Sequence, residues 1–402
     1  MLTAHKIELK LNNKQRTYCA KAAGTARFSY NWALKEWKAQ YLAHKQNPLL
    51  PKPSQQALRR QLNDIKRAEF PWMLEVTKNA PQMAIIQLGE AFNRFFKGHS
   101  RYPKPRKKGF DDRFTLTNDQ FQINLSRIRI PHLGWIHMRE RLRFTGKVMS
   151  ATVSCKADRW FVSITVDVPD EALAPAESQG VVGVDLGITA LATLSNGESF
   201  SGSKPYKNLL GKIKRLSRGL SRKGKHSRNR EKAKIKLARV HARAANIRKD
   251  ELHKITHSLT SRFHTIVIED LNVKGMMQNE RLSRAIADMG FYEFRRQLEY
   301  KAYRRGGQVI VGDRWYPSTK RCSDCGYLLD NLPLSERTWT CPSCGQSHHR
   351  DLNAAINLRN LAVSSTVTAC GEEGSGLSCK IQVKPASVKQ ENNTKSTVSR
   401  FG

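Results

Sequence analysis

Four cysteines spaced Cys322-x2-Cys325-x15-Cys341-x2-Cys344 constrain the fold of this 402-residue chain more than any other feature. Two such knuckles match a zinc ribbon, in which each supplies two thiolates and four close a tetrahedral shell. A chance pairing or a redox couple would not explain the glycine after each knuckle, Gly326 and Gly345, where a tight turn beneath a metal is needed. Four thiolates leave no open position, so the expected Zn²⁺ is structural. His348 and His349 follow as alternative ligands, but the thiolates suffice. Cys19, Cys155, Cys370 and Cys379 are scattered and read as free thiols. A secreted disulfide framework would be denser and would sit in a smaller chain.

The charge narrows the partner. Seventy Lys and Arg against 34 Asp and Glu leave a formal +36, while 39% hydrophobic residues exclude a disordered polycation. Self-repulsion on this scale calls for a polyanion, either nucleic acid, the favoured reading, or an anionic membrane surface. No apolar run approaches the roughly 18 residues of a spanning helix. Met1 to Asn12 alternates Lys6, Glu8 and Lys10 with Ile7, Leu9 and Leu11, unlike a signal peptide. A cytoplasmic protein is expected, neither secreted nor integral to a membrane.

Periodicity divides the chain. The first dozen residues read as a strand, and helices follow over Thr17 to Leu42, from Ser54 through Ile65, and over Ala80 to Phe96. Arg101 to Gly109 is a basic, proline-broken junction. Beyond it the period becomes two, giving short strands at Phe114, Phe121, Ile128, Ile136, Met149 to Cys155 and Trp160 to Val166, with a hairpin at Ala157-Asp158. This spacing suggests a small barrel or sandwich completed by the first strand. Residues 171–179 read as a linker. Val181 to Leu194 is apolar around Asp185 and Gly187, with an Asn196-Gly197 turn after it. Lys204 to Lys249, with 18 Lys or Arg and one acid, Glu231, reads as a basic helical hairpin that needs phosphates to neutralise it. Phe263 to Ile268 is a buried strand, Phe291 to Ala302 a helix, Gln308 to Val311 a strand and Asp351 to Leu361 a helix. From about Val363 a polar tail is expected to be disordered.

Three acids stand in unusual places. Asp185 interrupts VVGVDLG, where an unpaired buried carboxylate costs several kcal/mol or shifts its pKa. Glu269 ends TIVIED, with Asp270 equally eligible, and Asp351 opens a helix, where it could serve only as an N-cap. If the first and fourth strands of one sheet are neighbours, Asp185 and Glu269 meet, and a helix on that sheet brings Asp351 to them. Gathered carboxylates repel, and two Mg²⁺ about 4 Å apart would relieve the repulsion and catalyse phosphodiester hydrolysis. The His349-Arg350-Asp351-Leu352 string resembles a kinase catalytic loop, but Ile356 stands where that motif needs Asn and no glycine-rich loop accompanies it.

In this order, GVDLG, IED, CxxC…CxxC and HRDLNAA resemble the TnpB (OrfB) proteins of bacterial insertion sequences. ELHKITHSL from Glu251, FRRQLEYKA from Phe294 and PHLGW from Pro131 extend the likeness over all but the tail. His349 departs from relatives that carry an acid two residues before the catalytic Asp. The resemblance implies a multidomain α/β chain with a RuvC-like, RNase H-type nuclease core at 180–320 and 346–362 and an inserted zinc ribbon at 321–345. It also implies a β-barrel wedge domain at 1–16 and 102–170 and an inserted helical recognition domain at 17–101, with the tail at 363–402. Asp185, Glu269 and Asp351 would bind Mg²⁺, and Cys322, Cys325, Cys341 and Cys344 would bind Zn²⁺. The partners implied are a transposon-encoded guide RNA, with one protein monomer per RNA, and double-stranded target DNA, with the protein on the nucleoid when bound. RNA-guided DNA cleavage is the expected activity. A nuclease-silent repressor and a transposase that joins strands without RNA are the alternatives.

Overall fold

The computed structural model describes residues 1–169, 180–333 and 335–370, with side chains as far as Val363. They fall into two compact units, one ending at 169 and one beginning at 180. The expected linker at 171–179 lies outside the described residues. No helix among the described residues is long and apolar enough to cross a membrane.

The first unit opens with strand β1 (Leu2–Lys10), whose alternate residues Thr3, His5, Ile7 and Leu9 are buried. Asn12 then starts α1 (Asn13–Gln46) through a capping box with Gln15. Helices α2 (Gln55–Glu69) and α3 (Asn79–Phe96) follow, as the helical spacing predicts. The small residues Ala22, Ala23, Ala26 and Ala33 line the buried face of α1, and Trp37 stacks on Phe92 of α3 at 4.4 Å. Six strands come next: β2 (Arg113–Thr117), β3 (Gln122–Asn124), β4 (Arg127–Ile130), β5 (Gly134–Met138), β6 (Lys147–Lys156) and β7 (Arg159–Asp167). The period-two reading located each of them. Ala157 and Asp158 both have positive φ, 51° and 63°, as a two-residue hairpin requires. The strands form one antiparallel seven-stranded sheet, β2-β6-β7-β1-β5-β4-β3, in which β1 pairs first with β7 and then, at Leu9 and Lys10, with β5. Helices and sheet share one continuous core, from Ile7 through Leu34, Leu88 and Phe114 to Val166.

The second unit is built on a five-stranded sheet. The apolar stretch Val181 to Leu194 is two strands, β8 (Val181–Asp185) and β9 (Ala192–Leu194), folded back on each other, and β10 (Ser199–Phe200) follows the Asn196-Gly197 turn. The basic segment forms the expected hairpin, α4 (Pro205–Ser221) and α5 (Arg228–Arg262), with Ser227 capping the second helix. Its root is fixed by buried Asp288, which accepts from the N–H groups of Tyr206 and Lys207, both at 2.9 Å. Strand β11 (Thr265–Glu269), helices α6 (Val273–Met276), α7 (Ser283–Met289) and α8 (Phe291–Arg304), and strand β12 (Gln308–Gly312) follow. The order is β10-β9-β8-β11-β12, with β8, β11 and β12 parallel, so the first and fourth strands are neighbours. The cysteine module carries a small hairpin, β13 (Thr338–Thr340) and β14 (Ser347–His349), which leads directly into α9 (Arg350–Cys370). This helix continues past Val363, where the tail was expected to begin, because no glycine or proline occurs before Gly371 to stop it. The rest of that tail, 371–402, lies outside the described residues.

Candidate active site

The parallel register pairs Ile268 with Val184, so Asp185 and Glu269 are the terminal residues of adjacent strands at the carboxyl edge of the sheet. Strand alternation decides which way they face. Val182, Val184, Ile266 and Ile268 pack into a core with Leu252 and Leu259 of α5 and Phe294 and Leu298 of α8. Val181, Val267 and Ile310 pack on the opposite face against Leu358 and Ala362 of α9. Gly183, Asp185 and Glu269 share that second face. Helix α9 crosses directly above Gly183, where a Cβ would lie 1.9 Å from the Ala355 carbonyl oxygen and 2.5 Å from the Arg359 nitrogen. Ala355 is one turn beyond Asp351, and Asp185 is two residues beyond Gly183, so this crossing carries Asp351 toward Asp185.

The electrostatics record the proximity. Burial pushes the Asp185 pKa well above the carboxylate range, Glu269 and then Asp351 raise it further, and Arg350 and Arg337 oppose them. Burial also raises Glu269, to about 6, against a hydrogen bond from the Leu186 backbone N–H. Asp270, eligible by sequence, is instead paired with Arg295 and Arg314. Asp351 lies inside the first turn of α9, after Arg350, rather than at the capping position, and its Oδ1 accepts from Arg337 at 3.2 Å. Buried Arg350 donates to the Pro333 carbonyl at 2.7 Å, and its N–H reaches the Arg337 carbonyl at 2.8 Å, which pins the ribbon to the same turn.

The second cluster is tighter. Among the described residues, Cys322, Cys325, Cys341 and Cys344 are the one group of three or more His, Cys, Asp or Glu whose ligand atoms all lie within 4.8 Å of one another. The three carboxylates act on each other without being gathered that closely. Cys322 and Cys344 sulfurs are 3.7 Å apart, and those of Cys325 and Cys341 3.6 Å, as unbonded thiols. A tetrahedral shell with Zn–S bonds of about 2.3 Å places its sulfurs about 3.8 Å apart, so these four fit Zn²⁺. The knuckles repeat one backbone pattern. Gly326 N–H donates to Cys322 O, and Gly345 N–H to Cys341 O, at 3.0 and 2.9 Å, with both glycines at positive φ, 79° and 74°. His348 stands outside the set: its Nε2 is 3.0 Å from the Cys322 sulfur, and its ring lies against Trp339. His349 is exposed.

Two asparagines join the clusters. Asn353 and Asn357, one turn apart on α9 and buried, donate to the Arg321 carbonyl at 2.7 and 2.6 Å and to the Ser318 carbonyl at 3.4 and 2.8 Å. The Ser323 N–H donates to the Asn353 oxygen at 2.9 Å. The first knuckle is therefore tied to the helix that carries Asp351. The sequence reading passed over this pair, although amides alternating with Ala354 and Leu358 inside a helix are the mark of buried polar partners. It also passed over Gly183, whose place inside an apolar strand signals a close backbone approach.

A solved Cas12f1–guide RNA–target DNA complex shares this fold, with a TM-score of 0.52 over 87% of this chain and 83% of that one at 14% identity. The architecture is that of a Cas12f1-type α/β protein. Residues 163–280 match the IS605 OrfB family model, described as "Probable transposase", and 291–358 match the Cas12f1-like TNB domain. Residues 1–46 match a model described as a helix-turn-helix domain, but that segment folds here as one strand and one unbroken helix. Two relatives carry the name "Putative RNA-guided DNA endonuclease". One, from Streptomyces pristinaespiralis, is 39% identical over 76% of each chain. The other, InsQ of Escherichia coli K12, is 34% identical over 92% of this chain and 94% of its own. The chain belongs to this IS605 OrfB (TnpB) family.

Proposed function

We propose that this protein is a transposon-associated, RNA-guided DNA endonuclease with Asp185, Glu269 and Asp351 as its catalytic carboxylates, held in a RuvC-like core at 180–320 and 346–362. The observation that carries the reading is the convergence of three acids: Asp185 and Glu269 end neighbouring strands at one sheet edge, and the crossing of α9 over Gly183 brings Asp351 toward them. Carboxylates so gathered repel one another, and divalent cations would relieve that repulsion. The three residues would hold two Mg²⁺, which when bound supply an activated water and stabilisation of the leaving oxygen in phosphodiester hydrolysis. The chain's own part is positional. The β8–β11 register fixes Asp185 beside Glu269, Leu186 N–H favours the charged form of Glu269, and Arg337 aligns Asp351.

The names of the relatives and the net charge of +36 support an RNA guide and a DNA target. In this reading the sheet of 1–16 and 102–170 is a barrel-type wedge, the helices of 17–101 form a recognition unit, and both grip the guide while base pairing reads the target. The α4–α5 hairpin holds phosphate backbones, Zn²⁺ on the ribbon at 321–345 is structural, and one cytoplasmic monomer serves each RNA.

The test is cleavage of matched DNA by the chain with its copurified RNA and Mg²⁺. Activity should vanish in Asp185→Ala, and undiminished cleavage by that variant overturns the assignment. A silent repressor would be expected to have lost one of the three acids, and all three are present. A strand-joining transposase would keep its activity after the RNA is digested, which is the outcome that would favour that reading.

A further inference from the structure

Trp315 is 85% exposed. An indole left in water forfeits one of the largest burial gains any side chain offers, so its open face is available to a partner that can cover it. Its backbone is held in place. The Trp315 backbone N–H donates to Asp313 Oδ1 at 2.7 Å, and the following Tyr316 backbone N–H donates to the Asp313 carbonyl at 3.2 Å. On one side Arg314 is bonded to the carboxylate and carbonyl of Asp270. On the other, Tyr316 packs against α9 and its hydroxyl reaches the Asn357 carbonyl at 3.4 Å.

The position is as telling as the exposure. Strand β12 pairs Glu269 with Gly312, and Trp315 stands three residues farther on, past the carboxyl edge of the sheet where Asp185 and Glu269 end. Its neighbour Arg314 is held by Asp270, which also pairs with Arg295, itself bonded to Glu299, so the local charges are balanced within the protein. A flat, open aromatic face at the edge of the carboxylate site fits a nucleobase whose own faces are free, and therefore a single strand, since duplex bases are already stacked on both sides.

Resting on the nuclease reading above, we propose that Trp315 is a stacking platform for a base of the single-stranded DNA that enters the carboxylate site, holding the strand while its backbone is presented to Asp185, Glu269 and Asp351. It is a positioning residue and takes no part in the bond changes. The platform tolerates any base, because each presents a π-face.

The experiment uses the full chain with its copurified RNA in the Asp185→Ala form and a short single-stranded DNA oligonucleotide containing 2-aminopurine. The fluorophore should be quenched on binding. Trp315→Ala should abolish the quench and weaken binding roughly 5- to 150-fold, the equivalent of one lost stacking contact, while Trp315→Phe keeps most of both. An oligonucleotide abasic at every position should bind Trp315→Ala and its parent alike. Unchanged quenching and affinity in Trp315→Ala, or an equal loss for the abasic strand, overturns the proposal. Because this readout is binding, its failure is separate from that of the nuclease assignment, which would fail through cleavage by Asp185→Ala.

Discussion

Gly183 of β8 and Ala355 of α9 meet backbone to backbone, with no room between them for a single carbon. Gly183→Ala must therefore displace α9 rather than a side chain. It should cost at least about 2 kcal/mol, at the upper end of overpacking penalties. Cleavage should fall out of proportion to the drop in melting temperature, because the displaced helix carries Asp351. A variant with normal activity would show that the crossing is not what sets the carboxylates.

The raised carboxylates give the metal-free protein a pH dependence of unusual sign. Glu269 has a folded pKa of about 6 against an ordinary 4.5, so the folded state binds the proton more tightly. Stability contributed by this group is present below 4.5 and is lost as pH rises through 6, by about 2 kcal/mol, with Asp185 adding in the same direction. Thermal melts without added Mg²⁺ should show wild type losing ground to Glu269→Gln across that window. Mg²⁺ should restore the difference above pH 6. A flat difference curve would contradict the burial of Glu269.

Activity should follow the same protons in the opposite sense. Carboxylates must be ionised to hold a cation, so the Mg²⁺ concentration needed for half-maximal cleavage should fall as pH rises past 6. A requirement independent of pH between 5 and 8 would point to a site other than these acids.

Asn353→Ala or Asn357→Ala would leave each of the Ser318 and Arg321 carbonyls with one side-chain donor in place of two. Each change should cost about 0.5–1.5 kcal/mol. It should also speed zinc release to a colorimetric chelator, since the first knuckle loses its anchor on α9. Zinc release at the wild-type rate would confine these amides to the helix itself.

The α4–α5 hairpin should dominate the salt dependence of RNA binding. Changing exposed Lys212, Lys214, Arg215 and Arg218 to Gln should reduce the slope of log affinity against log salt by about 0.7 to 0.9 for each cation removed. An unchanged slope would place the phosphate contacts elsewhere.

Much of this was legible because it is written in local signals. The hairpin at Ala157-Asp158, the basic hairpin and the paired knuckles are each fixed by residues close together in the chain. The meeting of Asp185 with Glu269 needed only the assumption that strands one and four are neighbours. Whether Glu269 or Asp270 faces the site was not legible, because strand phase at a terminus depends on the register with β12 and on Arg295 and Arg314 taking Asp270. The division of Val181 to Leu194 into two strands was hidden because the connecting residues, Leu186 to Leu191, are as apolar as the strands they join. The burial of Asn353 and Asn357 could have been read from their place among Ala354 and Leu358, but their carbonyl partners, on Ser318 and Arg321, depend on how the ribbon folds back onto α9.

The layering of the second unit has a consequence for synthesis. Strands β8, β11 and β12 are all made before α9, so the face bearing Val181, Val267 and Ile310 stays bare until the last described helix arrives to cover it. A nascent chain interrupted before Asp351 lacks the third acid of the proposed site and leaves this apolar face uncovered, the kind of surface through which partly folded chains aggregate.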